Sequence, residues 1–391
     1  MKKIYIFLLL APLSLSMSAQ QTYDILRDIE QNNMQLQALR KNNEAAVLEV
    51  KSQNALENTS VEYSPFFRRG VDGIASSELV VKQGFDFPTL YAARNKSGRL
   101  QQEALDLQYL TARRDILLEA KLKCHDMVYF NKVEELLQQR KKNAEELLAL
   151  YNKRLEEGDA TIIDVNKIKM DRMNIEKETA EMEAERMASL QALATLNGNH
   201  PVAFNSKEYA HTAISVDNPE ELAERIMETD YMLQQSETAA RVSEQEVKVT
   251  KQNWIPKFEV GYRRNTDVEA SSNGFMVGAS LPIFSNARNV KIAKAKQAGA
   301  QLELDNAKIE TENQIYALIY QAQNMRAVMD AYDIELMYNT LDMLRTAVEA
   351  GELSIIDYYG EADSIYQNLH SYLDVERAYQ NALAELYKNE L

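Results

Sequence analysis

Cysteine, histidine and tryptophan are scarce in this chain. Among its 391 residues there is one cysteine, Cys124, and there are four histidines and one tryptophan. A single cysteine excludes an intramolecular disulfide and a thiolate metal cluster, and the histidine spacings match no zinc motif. The segment Cys124–Met127 carries soft and imidazole ligand types, but consecutive helical residues point about 100° apart and cannot grip one ion together. We therefore expect no metal and no cofactor.

Enzyme motifs and excess positive charge are also missing. The sequence contains no serine nucleophile elbow and no glycine loop that would cradle phosphate, so we expect no catalytic residues. Lysine and arginine number 44 against 59 aspartate and glutamate, which gives a net charge of -15. Nucleic acid and anionic membrane surfaces reward basic patches, so the charge disfavours both as partners.

Long apolar runs are absent after the first 20 residues, so no transmembrane helix is predicted. The opening MKKIYIFLLLAPLSLSMSAQ places two lysines before an apolar run and small residues. This is the layout of a secretory signal peptide, which we assign to residues 1–19 with cleavage near Ala19. We expect an exported protein without a helical anchor.

Proline is missing from two long tracts, residues 89–200 and 283–391. Because an interior proline costs a helix about 3 kcal/mol, such tracts permit very long helices. Apolar residues recur at helical spacing between charges, as in Leu137, Ala144, Leu147 and Leu148, which predicts coiled-coil packing. We expect each tract to break once, at a glycine.

What the sequence does contain is a repeated phrase. EEGDATIIDV begins at Glu156 and EAGELSIIDY at Glu349, so that Gly158 matches Gly351 and Asp164 matches Asp357. A glycine can end a helix in the left-handed conformation, and Thr161 or Ser354 can cap the next helix three residues before the aspartate. Each phrase predicts a tight helix–turn–helix tip, at about 156–163 and 349–356.

Strand-like segments repeat as well, and they divide the chain into two halves. Alternating runs that flank turn residues predict one β-hairpin per half. The predicted organisation is residues 20–200 as the first repeat, 201–218 as a short equatorial linker and 219–391 as the second repeat, with strands at about 61–70, 77–88, 256–266 and 273–283. Each half reads as helix, hairpin, very long helix, tip and helix.

Four strands with one apolar face fit either a small soluble sheet or part of an outer-membrane barrel. In the clearest strand Phe258, Val260 and Tyr262 alternate with polar residues, whereas Gln83 interrupts the face formed by Leu79, Val81, Phe85 and Phe87. Four strands cannot close a barrel, and an open edge in hydrocarbon would leave backbone groups without partners. A membrane role therefore requires oligomerisation, to eight, twelve or more strands.

The internal duplication, the paired hairpins ending at Pro88 and Pro282 and the Gly-x5-Asp tips resemble the TolC family of outer-membrane efflux factors. The resemblance implies a mainly α fold with a small β part, assembled as a homotrimer. A twelve-stranded barrel in the outer membrane would continue as an α-helical coiled-coil tunnel into the periplasm. It also implies a passive duct rather than an enzyme, in contact with outer-membrane lipid, with a periplasmic adaptor and, through that adaptor, with an inner-membrane pump.

The same resemblance assigns roles to the tip residues. The tip and adaptor contacts would be Gly158, Asp159, Asp164, Gly351 and Glu352, and the pore constriction would be Asp357 and Glu361. The family's second constriction aspartate is replaced by Gly360, and Val348 and Leu353 stand where latch residues are expected. The alternative function is a soluble periplasmic coiled-coil adaptor or structural spacer, although an adaptor should have one helical hairpin and this chain has two.

Overall fold

The structure is a computed structural model that describes residues 13–210, 218–267, 269–281 and 286–391. The predicted signal peptide therefore lies largely outside the described residues, as does Pro282. The helices are α1 (Leu13–Asn32), α2 (Met34–Ser52), α3 (Pro88–Glu157), α4 (Ile162–Leu196), α5 (Pro219–Thr229), α6 (Tyr231–Gln252), α7 (Asn286–Ala331), α8 (Ile334–Ala350) and α9 (Ile355–Leu386). The strands are β1 (Ser60–Phe66), β2 (Ser76–Phe85), β3 (Lys257–Asp267) and β4 (Ser271–Ser280). Within this part of the chain, no helix combines the length and apolar composition needed to cross a membrane.

The chain divides into two compact units that do not coincide with the sequence repeats. The first unit comprises the described residues of Met1–Ala38, Ala112–Thr229 and Glu312–Leu391, and the second comprises Leu39–Thr111 and Asp230–Thr311. Each half of the sequence contributes to both units because the long helices α3 and α7 run from one into the other.

Helix breaks occur at three short polar residues as well as at the glycine tips. Asn33, Asp230 and Asp333 each accept a hydrogen bond from the backbone N–H three residues later, at 2.9, 2.9 and 2.8 Å. An Asn or Asp side chain that satisfies a free N–H favours the start of a new helix. The prediction of a single break per proline-free tract is therefore wrong for the second tract, where Asp333 separates α7 from α8.

The first unit is held by buried side chains from helices distant in sequence. One cluster contains Ile29, Cys124, Met127 and Leu193, each no more than 2% exposed. Cys124 and Met127 are thus parts of a hydrophobic core, which is the ordinary role of such residues in a helix.

The described part of the linker does more than join the repeats. Phe204 and Tyr209 are buried in the same cluster, and Asn131 Nδ2 donates to the carbonyl of Ser206 at 2.8 Å. Residues 201–210 therefore pack within the first unit, while 211–217 lie outside the described residues. This segment therefore contributes to the core of the first unit in addition to linking the repeats.

The second unit contains a four-stranded antiparallel sheet in the order β1-β2-β3-β4. β1 ends at Phe66 rather than near residue 70, and β4 begins at Ser271, two residues earlier than predicted. The register aligns Val61 with Val81, Val81 with Tyr262, and Tyr262 with Phe275, which forms an apolar row across all four strands. Gln83 places a polar side chain in this apolar face. Its amide donates hydrogen bonds to the carbonyls of Glu57 and Gly84, at 2.7 and 2.8 Å.

This apolar face is open to the surroundings in the single chain. Phe275 is 93% exposed, Val277 80% and Val61 65%. The other face carries small and charged residues, among them Gly261 and the ion pair of Arg263 with Glu78 at 2.8 Å. The sheet thus has one apolar and one polar side, with β1 and β4 as its edges.

Candidate functional site

The first tip joins α3 to α4 through four residues. Gly158 has φ +87°, a left-handed conformation that favours glycine, and the N–H of Asp159 donates to the carbonyl of Arg154 at 2.7 Å. Thr161 then caps α4: its Oγ1 accepts from the N–H of Asp164, while the Asp164 carboxylate accepts from the N–H of Thr161 at 2.8 Å. The predicted capping box is confirmed, and it accounts for Asp164 structurally.

The second tip repeats this construction between α8 and α9. Gly351 has φ +81°, and the N–H of Glu352 donates to the carbonyl of Ala347 at 2.9 Å. Ser354 caps α9, accepting from the N–H of Asp357 at 3.1 Å and donating its hydroxyl to the Asp357 carboxylate at 2.6 Å. The helix–turn–helix predicted from the repeated phrase is therefore confirmed at both positions.

The two tips are joined by an arginine that the sequence analysis missed. The guanidinium of Arg154, in the last turn of α3, donates to the carbonyls of Val348 and Glu349 at 3.1 and 2.6 Å. These carbonyls lie at the end of α8, where backbone acceptors lack helical partners. The equivalent residue of the second repeat is Ala347, so the link runs in one direction only.

A second arginine strengthens the contact between α8 and α3. Arg345 donates to Asn143 Oδ1 at 3.1 Å and to Glu349 at 2.9 Å, and it also pairs with Glu146. Beneath these polar contacts lie Val348 and Ile355, which are 0% and 1% exposed. The tips are thus packed together and are not independent loops.

The tips differ in the apolar surface that they present. Ile355 is buried, whereas its equivalent in the first tip, Ile162, is 55% exposed. The following isoleucines, Ile163 and Ile356, are both exposed, at 66% and 56%. The first tip therefore offers two adjacent isoleucines beside the exposed Asp159, and the second offers one beside the exposed Glu352.

The acidic residues assigned to a constriction lie on one face of α9. Asp357 and Glu361 are both exposed and stand four residues apart, so their side chains are neighbours on the helix surface. The same face continues with the exposed polar residues Ser364, Asn368 and Ser371. Asp363 lies on another face and accepts a hydrogen bond from Arg140 at 2.9 Å.

Arg140 is the centre of a buried charge network that the sequence analysis also missed. Its guanidinium bonds to Asp171 at 2.5 Å, Asp363 at 2.9 Å and Glu178 at 3.4 Å, which ties α3 to α4 and α9. The side chains of Arg140 and Asp171 are only 12% and 5% exposed. Burial raises the pKa of Asp171 above its usual value, and Arg140 offsets part of that increase.

Substitution of the tip glycine tests the left-handed turn. Gly351→Ala should lower the stability by about 1–2 kcal/mol, because an alanine side chain is strained at this φ. Gly360→Ala is the matched control: Gly360 lies inside α9 with no atom within 4 Å of an added Cβ, so alanine should stabilise by about 0.5–1 kcal/mol. Thermal unfolding followed by circular dichroism measures both, and equal effects would contradict the turn assignment.

The comparisons with known proteins agree with the predicted family resemblance and with the fold. Residues 222–389, which include the second tip, match the family model described as outer membrane efflux protein. The match covers 168 of the 391 residues and agrees with the family resemblance seen in the sequence. The matched family is one of outer-membrane efflux proteins, and the match does not favour the alternative of a soluble adaptor.

Solved structures show the same fold over nearly the whole chain. A membrane protein from Pseudomonas aeruginosa is 16% identical, with TM-score 0.77, over 94% of this chain and 90% of that one. The Campylobacter jejuni CmeC outer membrane channel is 14% identical, with TM-score 0.72, over 95% and 85%. The open state of the Neisseria gonorrhoeae MtrE outer membrane channel is 14% identical, with TM-score 0.75, over 94% and 88%. Among curated proteins, no sequence match is found.

Proposed function

We propose that three copies of this chain form a passive exit duct that spans the outer membrane and extends into the periplasm. The observation that carries the proposal is the four-stranded sheet with an apolar row across every strand and unpaired edges at β1 and β4. In hydrocarbon such edges need partners, and pairing β4 of one copy with β1 of the next closes a cylinder. Three copies give twelve strands, the number that the family resemblance implies.

The polar face of the sheet would then line the pore. Gly261, Gly274 and Gly278 carry no side chain on that face, and Arg263 and Glu78 supply charge. The apolar row, with Phe275 and Val277 almost fully exposed in the single chain, would face lipid. This arrangement follows the alternation of apolar outward and polar inward residues in membrane barrels.

Reconstitution tests the duct. The purified full chain in planar lipid bilayers should produce discrete single-channel conductance steps, and cross-linking in detergent should trap three chains. Membranes washed with carbonate or urea should retain the protein. A carbonate-soluble protein that forms no conductance steps would overturn the proposal.

The exposed carboxylates of α9 form the proposed constriction. In a trimer three copies of Asp357 and Glu361 would surround one axis, where like charges attract divalent cations and narrow the passage. Asp357→Asn, which retains an acceptor for Ser354, should raise the single-channel conductance and weaken the block by divalent cations.

Asp164→Asn is the matched control for this test, because Asp164 occupies the same position in the first tip. Its carboxylate is half-buried in the capping box rather than exposed. We expect little change in conductance or block from this variant. Equal effects of Asp164→Asn and Asp357→Asn, or no effect of either, would contradict the assigned constriction.

The tips form the proposed adaptor contact. Ile162, Ile163 and Ile356 expose apolar surface beside acidic residues at both turns, a combination suited to a partner with apolar and basic groups. A photo-reactive residue in place of Ile163 should cross-link to the periplasmic adaptor of a pump, and one in place of Met187, an exposed residue farther along α4, should not. Cross-linking at Met187 alone would place the contact elsewhere.

A further inference from the structure

A groove of about 760 Å³ lies in the first unit, away from the tips, between α3, α4 and α9. Its floor is apolar and consists of buried side chains from α3 and α4. These floor residues are Phe130, Val133, Leu136, Leu137 and Met182. Such a concave apolar surface with a few polar groups at its edge has the size and character of a small-molecule site.

Two aromatic side chains flank the groove, and each already contacts a cation. Arg377 lies 4.0 Å from the ring centroid of Tyr129, and Arg140 lies 5.1 Å from that of Tyr366. The Tyr129 hydroxyl is hydrogen-bonded to His370 Nε2 at 3.1 Å, and Asn143 Nδ2 donates to the Tyr366 hydroxyl at 3.3 Å. Both rings are thereby fixed, which prepares the walls for a ligand without further ordering.

The rim of the groove is acidic. Four carboxylates line it, from Glu178, Glu181, Glu185 and Asp363, against the single guanidinium of Arg140. That guanidinium is bonded to Glu178 and Asp363 and also to Asp171. Negative charge therefore exceeds positive charge among the lining residues. The excess lies at Glu185 and, one turn earlier on α4, at Glu181, whose only printed ion pair is with the largely exposed Lys177 at 3.4 Å and is therefore weak.

We propose that this groove binds a small organic cation with an apolar body, of the aromatic quaternary ammonium class. The body would rest on the floor around Phe130 and Met182, where burial removes apolar surface from water. The ammonium would lie toward Glu181 and Glu185, because an opposite charge close to a low-dielectric wall is attracted more strongly than in water. Anionic or strongly polar molecules fit neither the floor nor the rim.

Calorimetric titration of the full-length protein in a neutral maltoside detergent tests the proposal, with benzyltriethylammonium as the probe and benzenesulfonate as the anionic comparison. We expect saturable binding of the cation and none of the anion. The double variant Glu181→Gln/Glu185→Gln should weaken the binding at least tenfold. Ser371→Trp, which places a bulky side chain at the rim, should abolish it.

The matched control is Glu176→Gln/Glu183→Gln, which removes the same charge from the same helix at positions that do not line the groove. It should change the affinity less than twofold. Equal weakening by the two double variants, or the absence of saturable cation binding to the unmodified protein, would overturn the proposal. The readout is independent of conductance, so it separates failure of this site from failure of the duct.

Discussion

Replacing Arg140 with methionine should lower the free energy of unfolding by about 3–5 kcal/mol, the largest single effect that we expect in this protein. Arg140 pairs with Asp171 at 2.5 Å, and the Asp171 side chain is only 5% exposed. Removal of the guanidinium would leave this carboxylate buried without its countercharge, and the loss of one member of a buried ion pair typically has such a cost. Denaturant unfolding monitored by circular dichroism would measure the change.

The double variant Arg140→Met/Asp171→Leu is the control for this prediction. It removes both buried charges, and the remaining partners Asp363 and Glu178 are 39% and 46% exposed, so water can solvate them. Replacing a buried ion pair with apolar residues is often neutral, and we expect most of the lost stability to return. A double variant as unstable as Arg140→Met would show that packing, rather than the stranded charge, causes the loss.

Acidification should destabilise the first unit through His125. This side chain is 3% exposed, and its Nδ1 donates to Asn381 Oδ1 at 2.9 Å. Burial lowers the pKa of His125 to about 4, and the hydrogen bond that His125 donates to Asn381 offsets a smaller part of that decrease. The nearby charges of Lys121 and Asp126 act in opposite directions.

The direction of the effect follows from the neutral form being favoured in the folded state. His125 contributes its stability above the unfolded pKa of about 6.5 and loses it as the pH falls toward 4. A pKa that is about 2.5 lower in the folded than in the unfolded state corresponds to a loss of about 3 kcal/mol in the free energy of unfolding. Unfolding curves at pH 7, 6, 5 and 4 would measure it.

His125→Asn is the matched variant, because its amide nitrogen can occupy the place of Nδ1 and donate to Asn381. Its stability should decline less than that of the unmodified protein between pH 6.5 and 4. Parallel declines in the two proteins would exclude His125 as the source and would point to the carboxylates instead.

The local elements of this fold could be predicted because local patterns dictate them. Proline-free tracts gave the long helices, and the Gly-x5-Asp phrase specified both tips, since only a left-handed glycine and a capping hydroxyl are needed. Alternation along the strands likewise located the sheet and its apolar face. The extra helix break at Asp333 had a local cause too, an aspartate that caps α8, but the long helical pattern on either side concealed it.

The arginine contacts could not be predicted because they join residues far apart in sequence. Arg154 reaches carbonyls 194 and 195 residues away, and Arg140 reaches Asp363 across 223 residues. An arginine within a charged helix looks the same in sequence whether it faces solvent or a buried carboxylate. Asp363 illustrates the difficulty: in the sequence it is one more acidic residue near Asp357 and Glu361, whereas in the structure it accepts a hydrogen bond from Arg140.

The sequence by itself determined the duplicated plan, the helical and strand-forming segments, the turn chemistry of the tips and the resemblance to a family of outer-membrane channels. These properties depend on residues that are near one another along the chain. Only the tertiary structure decided which tip residues are buried and which are exposed, how Arg154 and Arg345 bind the tips together, and which acids of α9 remain unburied. Those properties depend on which helices pack side by side, and residue patterns within one helix do not specify its neighbours.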